Sequence, residues 1–238
     1  MAPKWILLSA AALASASAIA GAASAQSGQR SYQVRPFDSI SAAGPSNVIV
    51  TVGGAASVRA QGPAEILDRM EVVVEDGELE IRPRREFRNN YRWRDQPRAT
   101  FYVTAPRVKE AAVAGSGDMK IDRIQGDRFS GAIAGSGNLD IASLRVAKAS
   151  FSIAGSGNLS ASGSADDADA SIAGSGNLML GRVSSRTASI SIAGSGDVAI
   201  NASQTANVSI VGSGDVHVAG TARCSVSRIG SGRVRCGR

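Results

Sequence analysis

Histidine is nearly missing: His217 is the one imidazole in 238 residues. That excludes a multi-histidine metal centre, and no serine–histidine–acid triad is evident around it. Aromatic residues make up only 4%, so a core has to be built from aliphatic side chains in regular ladders. Cysteine occurs twice, at Cys224 and Cys236, and neither follows an N-terminal apolar run, which excludes lipid attachment of the lipoprotein kind. Past residue 25 no stretch reaches 18 apolar residues, so no later segment would span a bilayer as a helix.

Glycine is abundant, and much of it lies in one phrase. Gly-Ser-Gly occurs seven times, with serines at Ser116, Ser136, Ser156, Ser175, Ser195, Ser213 and Ser231, in steps of 20, 20, 19, 20, 18 and 18 residues. A fixed period of this size marks a solenoid or array. Three residues before each serine stand Val113, Ile133, Ile153, Ile172, Ile192, Ile210 and Arg228; three after stand Met119, Leu139, Leu159, Leu178, Val198, Val216 and Val234. Odd offsets are mostly apolar and even offsets small or polar, which is the alternation of half-buried strands. Each copy therefore reads as strand, glycine turn, strand and second turn. That predicts an all-β, single-stranded parallel β-helix, flattened, with 18–20 residues per coil. A meander of antiparallel hairpins is the alternative, but seven near-identical copies would gain nothing there from stacking. The turn glycines are Gly115 and Gly117, Gly135 and Gly137, Gly155 and Gly157, Gly174 and Gly176, Gly194 and Gly196, Gly212 and Gly214, Gly230 and Gly232. Paired glycines suit a repeated turn because they accept positive φ without steric cost. Coil-length changes are expected in the second turn, leaving the Gly-Ser-Gly edge in register.

Residues 1–25 read as a secretory signal: Lys4 is the only charge, an apolar run starts at Trp5, and Ala23-Ser24-Ala25 precedes Gln26. A membrane anchor is the other reading; the Ala and Ser content and the cleavage site favour export with cleavage. Removing Lys4 takes the formal charge from +6 to +5. Residues 26–35 are expected to be a linker and 36–238 one β-helix domain. Within it, 36–110 would form irregular coils and 111–238 the seven regular ones. Gly44-Pro45-Ser46-Asn47 before Val48, Val50 and Val52 echoes the later turns, as does Asp76-Gly77 before Leu79 and Ile81. Residues 63–70 would form a short helical turn or loop. The segment 82–98 breaks the pattern with seven arginines among Phe87, Tyr91 and Trp93.

Phe37-Asp38-Ser39-Ile40, Asp76-Gly77-Glu78-Leu79-Glu80-Ile81 and the serial Ala-Gly-Ser-Gly-Asn/Asp copies together resemble the putative auto-transporter adhesin, head GIN domain family, over residues 36 to about 220. The resemblance implies an exported bacterial protein with a right-handed, pectin-lyase-like β-helix whose Gly-Ser-Gly motifs turn the chain between two sheets. It implies a role in cell adhesion, attributes no catalytic residues, and allows a trimer by analogy.

Two after each serine stand Asp118, Asn138, Asn158, Asn177, Asp197, Asp215 and Arg233. Calcium-binding nonapeptide repeats also place Asp after glycine turns, but need two turns per 18-residue coil; a side-chain ladder of Asx hydrogen bonds fits better. Asp166, Asp167 and Asp169 sit in a spacer with no second carboxyl at the separation hydrolysis needs. No catalytic, metal or cofactor site is expected. Cys224 and Cys236 fall on the inward frame of the last coil, where a disulfide would staple the end. Facing sheets stand roughly 10 Å apart, whereas disulfide Cα atoms sit at about 5.5 Å, so that coil must taper. The expected binding residues are Arg84, Arg85, Phe87, Arg88, Tyr91, Arg92, Trp93 and Arg94, because arginine forks pair with acid groups while rings stack on sugars. Acidic polysaccharide, lipopolysaccharide or another envelope glycan is the expected partner. Nucleic acid would fit the same residues, but export disfavours it. A polysaccharide lyase or hydrolase and a purely structural envelope protein are the other readings.

Overall fold

A computed structural model of the chain describes residues 27–88, 93 and 96–237; the expected signal segment 1–25 lies outside these. The chain forms a β-solenoid of about six turns. Its first elements are β1 (Ser27–Tyr32), β2 (Ser39–Gly44), β3 (Asn47–Val52), β4 (Ser57–Pro63), α1 (Ala64–Arg69), β5 (Met70–Glu75) and β6 (Glu78–Pro83). A 3-10 turn at Arg85–Phe87 follows, then β7 (Thr100–Ala105), β8 (Glu110–Gly115) and β9 (Asp118–Ile121). Long strands make the regular coils: β10 (Ile124–Gly135), β11 (Asn138–Gly155), β12 (Asn158–Gly174), β13 (Asn177–Gly194) and β14 (Val198–Gly212). The last coil holds β15 (Val216–Ala219), β16 (Arg223–Ile229) and β17 (Val234–Cys236).

Successive coils pair in parallel, as a β-helix requires and a meander would not: Ile133 lies opposite Ile153, Ile153 opposite Ile172, and Ile172 opposite Ile192. This aliphatic column is fully buried, each member contributing roughly 1.5–3 kcal/mol of burial. The regular coil has three sides, however, not the two that a single second turn predicts. In β11 the buried positions run Leu139, Ile141, then Leu144, Val146, then Ala149, Phe151, Ile153. Two consecutive exposed residues, Ala142-Ser143 and Ala147-Lys148, break the alternation twice. Each break reverses which residues face inward, so the chain turns a corner and its pairing resumes on the next side.

Length changes fall at these corners, between Ile141 and Leu144, Ser160 and Ser162, Leu180 and Ser184, and Ser185 and Thr187. The Gly-Ser-Gly edge stays in register: Gly44, Gly115, Gly135, Gly155, Gly174, Gly194 and Gly212 stack one on the next. The two glycines of each turn are needed for different reasons. Gly194 has φ +139°, and a Cβ there would also stand 2.1 Å from the Gly174 carbonyl oxygen. Gly196 is not at positive φ; a Cβ would meet the Gly176 oxygen at 2.1 Å. Positive φ therefore accounts for the first glycine alone, and close approach of the stacked coils for the second.

The N-terminal end departs from chain order. β2 lies between β6 and β8, and β3 between β7 and β9, all parallel. The first coil in sequence is thus the second in the stack, because β6 and β7 return outside it. Beyond them the sheet turns antiparallel: β5 pairs with β6, β4 with β7, and β1 with β4. Residues 27–32, expected within a linker, are therefore a strand, held by an edge that β4 would otherwise leave open. Asp76 and Gly77, both at positive φ, close the β5–β6 hairpin. α1 buries Ile66 and Leu67 over the end of the core. Among the described residues no helix is long and apolar enough to cross a membrane.

Candidate functional site

The arginine-rich segment connects β6 to β7 at this capped end, and its arginines divide into tied and free. Arg82 points back along the hairpin, its Nε donating to Glu71 Oε1 at 2.8 Å and its Nη1 to Glu80. The Glu71 hydrogen bond holds its pKa above the ordinary guanidinium value. Arg98 stands 3.5 Å from Asp118. Arg84, Arg85 and Arg88 are exposed and, among the described residues, pair with no carboxylate. Of the aromatics, Phe87 and Trp93 are half-buried. The Arg69 guanidinium stands 5.3 Å over the Phe87 ring. The Trp93 indole N–H donates to the Phe87 carbonyl at 3.1 Å, and its ring packs against the core. These rings hold the connection together. Tyr91, Arg92 and Arg94 lie outside the described residues.

The Asx column is a ladder along one side of the solenoid. Asn138 Nδ2 donates to Asp118 Oδ1 at 2.7 Å, Asn158 Nδ2 to Asn138 Oδ1 at 3.0 Å, and Asn177 Nδ2 to Asn158 Oδ1 at 2.8 Å. The backbone N–H groups of Asp197, Asp215 and Arg233 continue it, each donating to the side chain one coil before. Arginines close both ends, Arg98 at Asp118 and Arg233 at Asp215, the latter 2.8 Å apart. The hydrogen bond from the Arg233 side chain holds the Asp215 carboxyl below its usual range. Side chains engaged in this way spend their oxygens on the next coil.

The spacer acids do not converge. Asp167 accepts from Thr187 Oγ1 at 2.5 Å, Asp169 pairs with Lys148 at 3.0 Å, and Asp166 is exposed at a corner. His217 faces outward beside a shallow groove with Met179, Asp215 and Arg235. At the C-terminal end Cys224 and Cys236 are joined, with Cα atoms 6.4 Å apart. The taper that permits this lies in the 18-residue coils. There the inward positions run Val198, Ile200, Ala202, then Ala206, Val208, Ile210, and Val183 has no counterpart. Arg228 stacks where the coil before has Ile210, and its Nη1 donates to the Gly232 carbonyl at 2.6 Å.

One cluster escaped the sequence reading. Tyr102 on β7, Arg59 and Gln61 on β4, and Gln29 on β1 line a depression of about 200 Å³ on the outer face of the antiparallel cap. The outward place of Tyr102 between Phe101 and Val103 is readable from alternation; its neighbours come from strands some 40 and 70 residues earlier, whose pairing no repeat announces.

The profile of a family described as "Putative auto-transporter adhesin, head GIN domain" matches residues 36–222. No curated protein sequence matches significantly. Among solved structures, a putative adhesin from Bacteroides fragilis is similar at a TM-score of 0.82 and 25% identity, over 90% of this chain and 98% of that one. A putative lipid binding protein from Parabacteroides distasonis aligns at 0.68 and 24% identity, over 87% and 95% of the two chains. A putative adhesin from the same organism aligns at 0.68 and 17%, over 88% and 96%.

Proposed function

The chain belongs to the "putative auto-transporter adhesin, head GIN domain" family, and we propose that it is an exported, non-catalytic solenoid that binds anionic envelope glycan in an adhesin role. The observation that carries this reading is the set of Arg84, Arg85 and Arg88, exposed at the capped end with no carboxylate partner among the described residues. A guanidinium left unpaired on a rigid support is available to a carboxylate, sulfate or phosphate in bidentate geometry. The half-buried Phe87 and Trp93 then serve to fix the backbone that presents these arginines. Export is supported by the adhesin family, by the disulfide, which persists in oxidising compartments, and by the signal-like residues 1–25.

The test is binding of the full mature chain to acidic polysaccharide and lipopolysaccharide at low and high salt, beside an assay for unsaturated-sugar release. Salt-sensitive binding that weakens in an Arg84→Ala/Arg85→Ala/Arg88→Ala variant is expected. Binding equal to the parent at low salt in that variant removes the arginines from the site. Sugar product released at enzymatic turnover overturns the non-catalytic reading.

A further inference from the structure

We propose that Tyr102 is the stacking platform of a glycan subsite, with Gln29, Gln61 and Arg59 around it and Lys120 beyond, and that it takes an acidic sugar chain lying along the solenoid axis. This rests on the glycan-binding reading and locates a part of it away from the arginine connection.

Tyr102 is 39% exposed, whereas Phe37, Phe101, Phe129 and Phe151 are buried and Tyr32, Phe87 and Trp93 half-buried. The core does not need its ring, because Phe101 and Val103 on either side already fill the inward positions of β7. Among the described residues the only cation–π contact is Arg69 over Phe87, so Arg59 does not cover the Tyr102 face. A flat apolar ring left open on a polar sheet stacks on the apolar face of a pyranose.

The surroundings supply the rest of what a sugar needs. Gln61 and Gln29 lie opposite one another on β4 and β1, and each amide offers two donors and a two-lone-pair acceptor to vicinal hydroxyls. They stand on paired strands rather than on a loop, so their positions are set before the ligand arrives. Arg59 is directly across from Tyr102, Ile49 is on its other side, and Lys120 follows Ile49. This row runs across the strands, parallel to the solenoid axis, with cations at both ends of the apolar pair. Neither Arg59 nor Lys120 pairs with a carboxylate among the described residues. An uncharged chain would leave both unused; a chain carrying carboxylates would reach them on either side of the stacked sugar.

The experiment is isothermal titration of the full mature chain with oligogalacturonate, an uncharged glucan of equal length and a single-stranded oligonucleotide. Oligogalacturonate is expected to bind tightest. Tyr102→Ala should weaken it about tenfold, Tyr102→Trp should retain binding, and Tyr102→Leu, apolar without a ring, should behave like the alanine variant. Arg59→Gln should erase the preference for the acidic chain over the glucan. The melting temperature should stay at the parental value in all four, since both side chains are exposed. Parental affinity in Tyr102→Ala, with loss in the Arg84/Arg85/Arg88 variant, overturns the platform and leaves the arginine connection as the site. Tighter binding of the oligonucleotide overturns the sugar assignment, and no binding of either glycan by the parent overturns both readings.

Discussion

If stacked backbone sets the Gly-Ser-Gly turn, alanine at its two glycines should destabilise by different mechanisms and amounts. At Gly194 the φ of +139° costs an L-residue about 1–3 kcal/mol of strain. The added Cβ, 2.1 Å from the Gly174 oxygen, also forces the coils apart, an overpacking term of roughly 1–3 kcal/mol. That movement stretches the bonds that the Ser195 and Gly196 N–H groups make to the same oxygen, at 2.9 and 3.2 Å, each worth about 1 kcal/mol. Together they come to roughly 4–8 kcal/mol, and at 2–4 °C per kcal/mol for a chain of this size the melting temperature should fall by about 8–32 °C. At Gly196 only the collision and the stretched bonds act, so Gly196→Ala should fall by less, roughly two-thirds as far. Gly181 is the control: its φ is not positive and its nearest neighbour is 4.0 Å away. Gly181→Ala should melt at or slightly above the parent. Circular dichroism on heating reads all three. Gly194→Ala melting with the control would refute the reasoning, and Gly196→Ala melting below Gly194→Ala would refute the division of causes.

Three further outcomes follow from the geometry. Reducing the Cys224–Cys236 bond, or making Cys224→Ser/Cys236→Ser, frees a 12-residue loop and should cost about 2–3 kcal/mol; an unchanged melting temperature would show the staple to be idle. Asp38 is held below its usual range by the Lys109 hydrogen bond, and Asp215 by that of Arg233. A depressed carboxylate stabilises above the unfolded value of about 3.9 and loses that contribution as pH falls through the folded value. Asp38→Asn/Asp215→Asn should therefore lose less stability on acidification from pH 5 than the parent, and superimposable acid profiles would contradict this. Since the Asx oxygens are engaged from coil to coil, millimolar calcium should barely move the melting temperature; a rise of about ten degrees would reveal a metal site.

How much could be read in advance differs along the chain. The regular coils were legible because each repeat states its own alternation and parallel stacking copies it: once Ile153 faces inward, Ile133 and Ile172 must as well. The Asx ladder and the Gly-Ser-Gly edge follow from the same identity of positions. The third side of the coil was less visible, since its only mark is a pair of small or polar residues such as Ala142-Ser143, which a spacer would also contain. Non-repeating contacts were not legible at all. Nothing in the order of residues says that β6 and β7 pass outside β2 and β3, that β1 pairs with β4, that Phe87 lies under Arg69, or that Trp93 packs against the core. Sequence by itself therefore determined the solenoid, its period, its buried aliphatic columns and the register of its cysteines over inward positions, because each rests on periodicity along the chain. Only the tertiary structure decided the stacking order of the cap, the loss of a counterpart to Val183 by which the coil narrows, and the gathering of Gln29, Arg59, Gln61 and Tyr102. Those depend on pairing between segments distant in sequence, where the choice of partner belongs to the energy of the whole packed end and no local pattern encodes it.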